Sequence, residues 1–279
     1  MVCGAGGRHA TRMLHDTKPR MGFGALRLTG TDAFAPTVDR ASATALLRRV
    51  VDAGITFIDT ADSYGLGDNE ELIRAALHPF PENLIIGTKA GQARPGPHRW
   101  VPLGRPEYLR QQAHLSLRRL GVDRLDLFQL HRIDPKVPFE EQIGTLRDLR
   151  AEGLVARVGL SEITVAQLDA ALEITPIDTV QNLYNVTNRA ADPLVDRCAE
   201  LGITFIPWLP VADGTPGAAA AAVAREIGAT PVQVSLAWLL HRSPVILPIP
   251  GTTSPAHLAE NVAAADLALN PDQLRRFDV

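Results

Sequence analysis

Apolar residues in this chain recur in two rhythms. Short runs rich in β-branched side chains fall at 22–28, 56–60, 84–88, 125–130, 157–159, 179–182, 204–207 and 245–248, all of strand length. Between them lie longer stretches with a helical period. In 40–53, Ala43, Leu46, Leu47, Val50 and Val51 form an i, i+3, i+4, i+7, i+8 stripe, and Gly54 follows as a C-terminal stop. Further helices are predicted at 69–77, 106–120, 139–151, 165–173, 193–201, 231–241 and 257–265. Thr164 and Thr230 stand as N-caps, Pro231 opens a helix at its first position, and Gly121 and Gly202 lie just past the last turns. Asp68, three residues before Glu71, reads as a capping box for the helix at 69–77.

The strand starts recur about every 32 residues, the length of one strand–helix unit. Eight strands alternating with eight or more helices predict a closed (β/α)8 barrel, a single α/β domain over residues 21–279. The competing architecture is an open, doubly wound sheet. That fold would carry a G-x-G-x-x-G turn after its first strand, and Gly22, Gly24 and Gly30 do not make one. Residues 1–20 are polar, fall outside the rhythm and are expected to be mobile. Gly- and Pro-rich loops are expected at 92–105 and 211–218.

Composition removes several function classes. A net charge of −3 and a pI near 6.2 give no basic footprint for nucleic acid. No apolar run reaches the roughly 18 residues of a membrane span. Cys3 and Cys198 are too few for a disulfide framework or a zinc site, and they fit a reducing, cytoplasmic setting. A metal-dependent barrel hydrolase needs paired histidines at a strand end, which His131-Arg132 does not offer.

In a barrel, chemistry gathers at the C-terminal ends of the strands and in the loops after them. Asp59 ends the run at 56–60 and Tyr64 lies in its loop. Lys89 directly follows the run at 84–88, and His131 the run at 125–130. A lysine at the mouth of a core needs a carboxylate partner, and Asp59 is one strand away. A tyrosine beside that ammonium has its phenolate favoured, and a neutral histidine can hydrogen-bond a substrate oxygen. The four together make a proton donor, its tuning pair and a polariser, which is what carbonyl reduction needs besides a hydride source. Thr252, Thr253 and Ser254 precede Pro255 at a helix start, where unpaired N–H groups form an anion site.

The ordered segments Gly54-Ile55-Thr56-Phe57-Ile58-Asp59-Thr60-Ala61-Asp62-Ser63-Tyr64-Gly65, Thr88-Lys89 and Asp126-Leu127-Phe128-Gln129-Leu130-His131 resemble the signature stretches of the aldo-keto reductase superfamily. The resemblance continues through Gly159-Leu160-Ser161, Gln181-Asn182-Leu183-Tyr184-Asn185, Ile249-Pro250-Gly251-Thr252-Thr253-Ser254 and His257-Leu258-Ala259-Glu260-Asn261. It implies reduction of an aldehyde or ketone to an alcohol, or the reverse, with NADPH/NADP+ and with NADH/NAD+ as the alternative pair. Asp59, Tyr64, Lys89 and His131 match the catalytic tetrad, with Tyr64 as general acid. Ser161 and Gln181 match residues that hold the nicotinamide carboxamide, and Trp208 the position whose ring stacks on it. Thr252, Thr253, Ser254, Glu260 and Asn261 match contacts to the ribose phosphate and adenine. Glu162 stands where many members have Asn. Gly251 and His257, in the same cofactor stretch, stand where many NADPH-specific members have Lys and Arg. Trp100 and Arg132 are candidate walls of the substrate pocket. A non-catalytic nucleotide-binding subunit is the alternative function, and the complete tetrad argues against it.

Overall fold

The computed structural model describes residues 13–30, 39–214 and 216–277. In chain order its main elements are β1 (Phe23–Gly24), α1 (Arg40–Asp52), β2 (Phe57–Asp59), α2 (Asp68–Leu77), β3 (Ile85–Ala90), β4 (Gln92–Gly96), β5 (Arg99–Pro102), α3 (Pro106–Leu120), β6 (Leu127–Leu130), α4 (Phe139–Ala151), β7 (Val158–Ser161), α5 (Val165–Leu172), β8 (Thr179–Leu183), α6 (Asp192–Leu201), β9 (Thr204–Trp208), α7 (Gly217–Ile227), α8 (Pro231–Arg242), α9 (Pro255–Ala263) and α10 (Pro271–Arg275). The parallel sheet runs β1-β2-β3-β6-β7-β8-β9, and β4-β5 is a separate antiparallel hairpin.

The sheet closes on itself through the segment predicted as the eighth strand. The amide of Leu247 donates to Phe205, and that of Phe205 to Val245. On the other flank the amides of Gly22 and Gly24 donate to Pro248 and Pro250. Pro248 and Pro250 have no N–H to return toward β1, so no continuous ladder forms on that flank, and on the β9 flank the pairing is an isolated bridge of Ile246 with Phe205. The (β/α)8 barrel is thereby complete. Two glycines make the closure possible. A Cβ on Gly24 would lie 2.7 Å from the carbonyl oxygen of Ile249, and one on Gly251 would lie 2.6 Å from that of Gly24.

The two-residue period of each strand sorts its side chains. Ile58, Phe128, Leu160, Val180 and Phe205 face outward into one core shared with the helices. Phe57, Leu127, Ile206, Leu247 and Ile249 face inward and meet Leu14 at the barrel floor. The inward residues one step further up belong to the site described below.

Several boundaries differ from the sequence reading. The strand expected at 22–28 is only Phe23–Gly24, because Leu26–Thr29 turn into a 3-10 helix. Asp68 is not a cap: it lies inside α2, and Gly67 at φ +102 precedes the helix. The loop expected at 92–105 contains the β4-β5 hairpin. Of the segment expected to be mobile, residues 1–12 lie outside the described residues. Residues 13–20 pack beneath the barrel: Leu14 is buried, His15 Nδ1 lies 2.8 Å from Thr204 Oγ1, and Arg20 bonds the carbonyls of Leu240, Ser243 and Pro244. The caps at Thr164, Thr230 and Ser254 each accept from the third helical amide. Among the described residues no helix is long and apolar enough to cross a membrane.

Candidate active site

Because β2 and β3 pair with Asp59 opposite Gly87, the inward-facing Asp59 and Lys89 meet at the strand tips. Lys89 is fully buried. Its Nζ donates to Asp59 Oδ2 at 2.7 Å, to the carbonyl of Thr60 at 2.7 Å and to Tyr64 Oη at 3.4 Å. The other carboxylate oxygen of Asp59 accepts from Gln181 Nε2 at 2.9 Å and from Gln129 Nε2 at 3.5 Å. Burial alone would depress the Lys89 ammonium, but Asp59 and then Tyr64 hold it above its ordinary value.

Tyr64 sits in the turn after β2, its ring 5.9 Å from that of His131 and nearly perpendicular to it. Its phenol lies above the ordinary tyrosine value. Loss of water around a phenolate raises it most, and the Lys89 charge opposes that. This corrects the expectation of a net decrease: desolvation in the buried cleft outweighs the ammonium, and the hydroxyl keeps its proton at neutral pH. His131 is held well below its ordinary value by burial, then by the charges of Lys89 and Arg132, so its ring is neutral. Among the described residues its buried Nδ1 has no hydrogen-bond partner, which leaves Nε2 as the nitrogen available to the cleft.

A cavity of about 430 Å³ opens over these groups. Of the residues expected at the site, Asp59, Tyr64, His131, Gln181, Trp208, Gly251, Trp100 and Arg132 line it. Lys89 lies directly behind Tyr64. Ser161 is buried beneath the cleft, where its Oγ accepts from Arg132 Nη1 at 3.0 Å. None of the remaining expected residues lines it: Thr252, Thr253 and Ser254 lead from Gly251 into α9, His257 lies in the first turn of that helix, and Glu260 and Asn261 lie farther along it. There the Ser254 amide donates to Thr252 Oγ1 at 3.0 Å, and Ser254 Oγ caps the helix.

The sequence reading missed Arg27, Gln92 and the turn Leu209-Pro210-Val211, which also line the cavity. Arg27 lies just past β1 and Gln92 opens β4. Position after a strand was the available signal for both. Glu162 also has a clear place. Its backbone is left-handed at φ +55, a conformation costing a non-glycine residue about 1 kcal/mol or more. In that pose Oε1 accepts from the Trp208 indole at 2.6 Å and from the Leu183 amide at 2.7 Å. The carboxylate thus fixes the indole plane at the cleft wall.

The arrangement can deliver one proton from a buried phenol and hold an oxygen with a neutral imidazole, beside a cavity lined in part by aromatic side chains. Known proteins resemble this chain over most of its length. The sequence profile described as "Aldo/keto reductase family" matches residues 20–218 and 216–279. An uncharacterized oxidoreductase of Schizosaccharomyces pombe is 46% identical over 262 residues, 93% of this chain and 85% of that protein. Pyridoxine 4-dehydrogenase of Escherichia coli is 41% identical over 267 residues, 93% of each chain. The crystal structure of an aldo-keto reductase from Klebsiella pneumoniae in complex with NADPH superposes with a TM-score of 0.79 at 26% identity, covering 93% of this chain and 89% of that one.

Proposed function

Since the chain belongs to the aldo/keto reductase family, we propose that it interconverts an aromatic aldehyde and its alcohol, with NADPH as reductant and Tyr64 as the acid. The observation that carries this reading is the Lys89 ammonium. It is fully buried, bonded to Asp59 on one side and to the Tyr64 hydroxyl on the other, and both of those partners line an open cavity.

The cofactor fits residues of this chain. The Trp208 ring, held by Glu162, offers a stacking face at the cleft wall. The backbones of Gly24 and Gly251 approach so closely that neither position has room for a side chain. Hydroxyls of Thr252 and Ser254 mark the start of a nine-residue helix, where an anion is favoured. Gly251 supplies no cation, but the Arg27 side chain lies beside it, 3.9 Å from where its Cβ would be. That supports NADPH over NADH. When bound, the cofactor supplies the hydride.

The protein's own residues manage the oxygen. Tyr64 Oη–H and the neutral His131 ring converge on the cavity, where both can donate to a carbonyl oxygen. As charge grows on that oxygen, the Tyr64 proton passes to it, and the phenolate left behind faces the Lys89 ammonium. Asp59 keeps that ammonium charged and in place. Trp100 and Trp208 line the cavity and offer aromatic surface to a substrate ring. The Escherichia coli relative is named for pyridoxine, and the 41% identity supports the same substrate class here: a hydroxymethylpyridine and its aldehyde.

The test is Tyr64→Phe assayed with NADPH and pyridoxal. Turnover should fall about 10²–10⁴-fold, the contribution of a placed general acid. Binding of NADPH, followed by quenching of tryptophan fluorescence, should persist. Near-normal turnover in the variant would remove Tyr64 from its role. NADPH binding by the wild type without turnover of any aldehyde would mark a non-catalytic nucleotide-binding protein instead.

A further inference from the structure

Charge is unevenly placed in the cleft. Among the lining residues the only carboxylate is Asp59, and it is bonded to Lys89. Two arginines, Arg27 and Arg132, share the wall. Arg27 lies at the Gly251 end, beside the group at the start of α9. Arg132 lies at the reacting end, directly after His131 and with its guanidinium 6.0 Å from the centre of the Trp208 ring.

The fork of Arg132 is fixed but only half used. Nη1 makes both of its hydrogen bonds, to the carbonyl of His131 at 2.6 Å and to Ser161 Oγ at 3.0 Å. Nε and Nη2 bond no described residue. Glu162 is near enough to favour the charge, yet its Oε1 is taken by Trp208 and the Leu183 amide, and among the described residues it makes no ion pair with Arg132. A guanidinium pinned on one side, with donors left over in a partly dry cleft, is built to take an oxyanion. A substrate whose carbonyl oxygen meets Tyr64 and His131 brings its neighbouring substituents toward this fork.

We propose that Arg132 is a specificity-determining residue that selects carbonyl substrates carrying an ionised oxygen, a phenolate or a carboxylate, close to the reacting carbonyl. This rests on the reductase reading above and narrows its substrate class. A neutral ring would leave the fork's donors dry and unpaired, which the cleft penalises.

Two matched pairs of aldehydes test it. One is 3-hydroxypyridine-4-carboxaldehyde against pyridine-4-carboxaldehyde, for the phenolate. The other is 2-formylbenzoate against its methyl ester, for the carboxylate. The wild type should favour the charged member of at least one pair in kcat/KM, and which pair shows it identifies the oxyanion. In Arg132→Met that ratio should shrink about 10- to 100-fold, the worth of one charge-assisted contact, with Arg132→Lys between. Taking the ratio within one enzyme cancels any general loss of folding or cofactor binding. A second readout needs no turnover: benzoate should quench tryptophan fluorescence of the NADP+ complex at lower concentration than benzamide, and the variant should lose that difference. Equal rates within both pairs for the wild type, or equal losses on both members in the variant, would overturn the proposal. Absence of turnover with every aldehyde would count against the reductase reading, and the benzoate comparison would then decide on Arg132 by itself.

Discussion

Replacing Lys89 by Met removes the ammonium and fills nearly the same space. The distances set the size of the effect. At an effective dielectric constant of about 20, two unit charges 3.4 Å apart, the Nζ to Tyr64 Oη distance, attract by about 5 kcal/mol. The phenolate exists only after the proton has moved, so the loss falls on the transition state and product side. Each 1.4 kcal/mol is tenfold, so the expected drop in kcat is between about 10³- and 10⁴-fold. The substitution also leaves Asp59 buried with Gln181 and Gln129 alone, at a cost of about 3–5 kcal/mol in stability. The two effects separate in the double variant Lys89→Met/Asp59→Asn. Urea unfolding should show most of the stability regained, because no charge is left buried. The rate should stay at the single-variant level, because the phenolate still lacks its partner. With an alcohol as substrate, where Tyr64 must first lose its proton, the rise of rate with pH should move further alkaline. A rate that recovers along with stability, or an alkaline limb that does not move, would refute the pairing of Lys89 with the phenol.

Other consequences are as direct. Burial, then the charge of Glu70, pushes the Asp62 carboxyl from its ordinary 3.8 up to about 7. The unfolded chain releases that proton near pH 4 and the folded one holds it to about 7, so the contribution is intact at low pH and is lost as pH rises through 7. By pH 8 the loss reaches about 4 kcal/mol. Asp62→Asn should therefore resist more urea than the wild type at pH 8 and differ little near pH 4, whereas parallel pH dependences would contradict the assignment. Gly24→Ala places a Cβ 2.7 Å from a backbone oxygen that cannot rotate away, and should cost about 1–3 kcal/mol in chemical unfolding. A change under about 0.5 kcal/mol would show that the closure yields.

Much of this was legible in the chain because local rules coincide with the tertiary ones. Thr164 and Thr230 are caps by chemistry and caps in the fold. Asp59, Lys89 and His131 could be found because strand ends are readable and a barrel collects chemistry there. Pro248 and Pro250 show the limit: the run 245–248 has strand composition, yet without two amides it closes the barrel through isolated bonds. The hydrogen bond from Trp208 to Glu162 spans 46 residues and depends on one left-handed backbone angle, which no local pattern announces. Gln181 lines the cavity as expected, and its bond to Asp59 across 122 residues of chain is one that no local pattern announces. The direction of the Tyr64 shift turned on burial, which spacing does not give.

The proline-bearing junction has one more consequence. Across it, Gly22 and Gly24 give two amide bonds, one of them stretched to 3.4 Å, while neighbouring strands elsewhere are laced by regular ladders. The cylinder therefore has a seam, and opening it breaks fewer bonds than parting most other neighbours. Gly251 and Arg27 stand on its two lips. A ligand held by both would act as a stitch across it, so that tightness of binding and resistance to unfolding would rise and fall together.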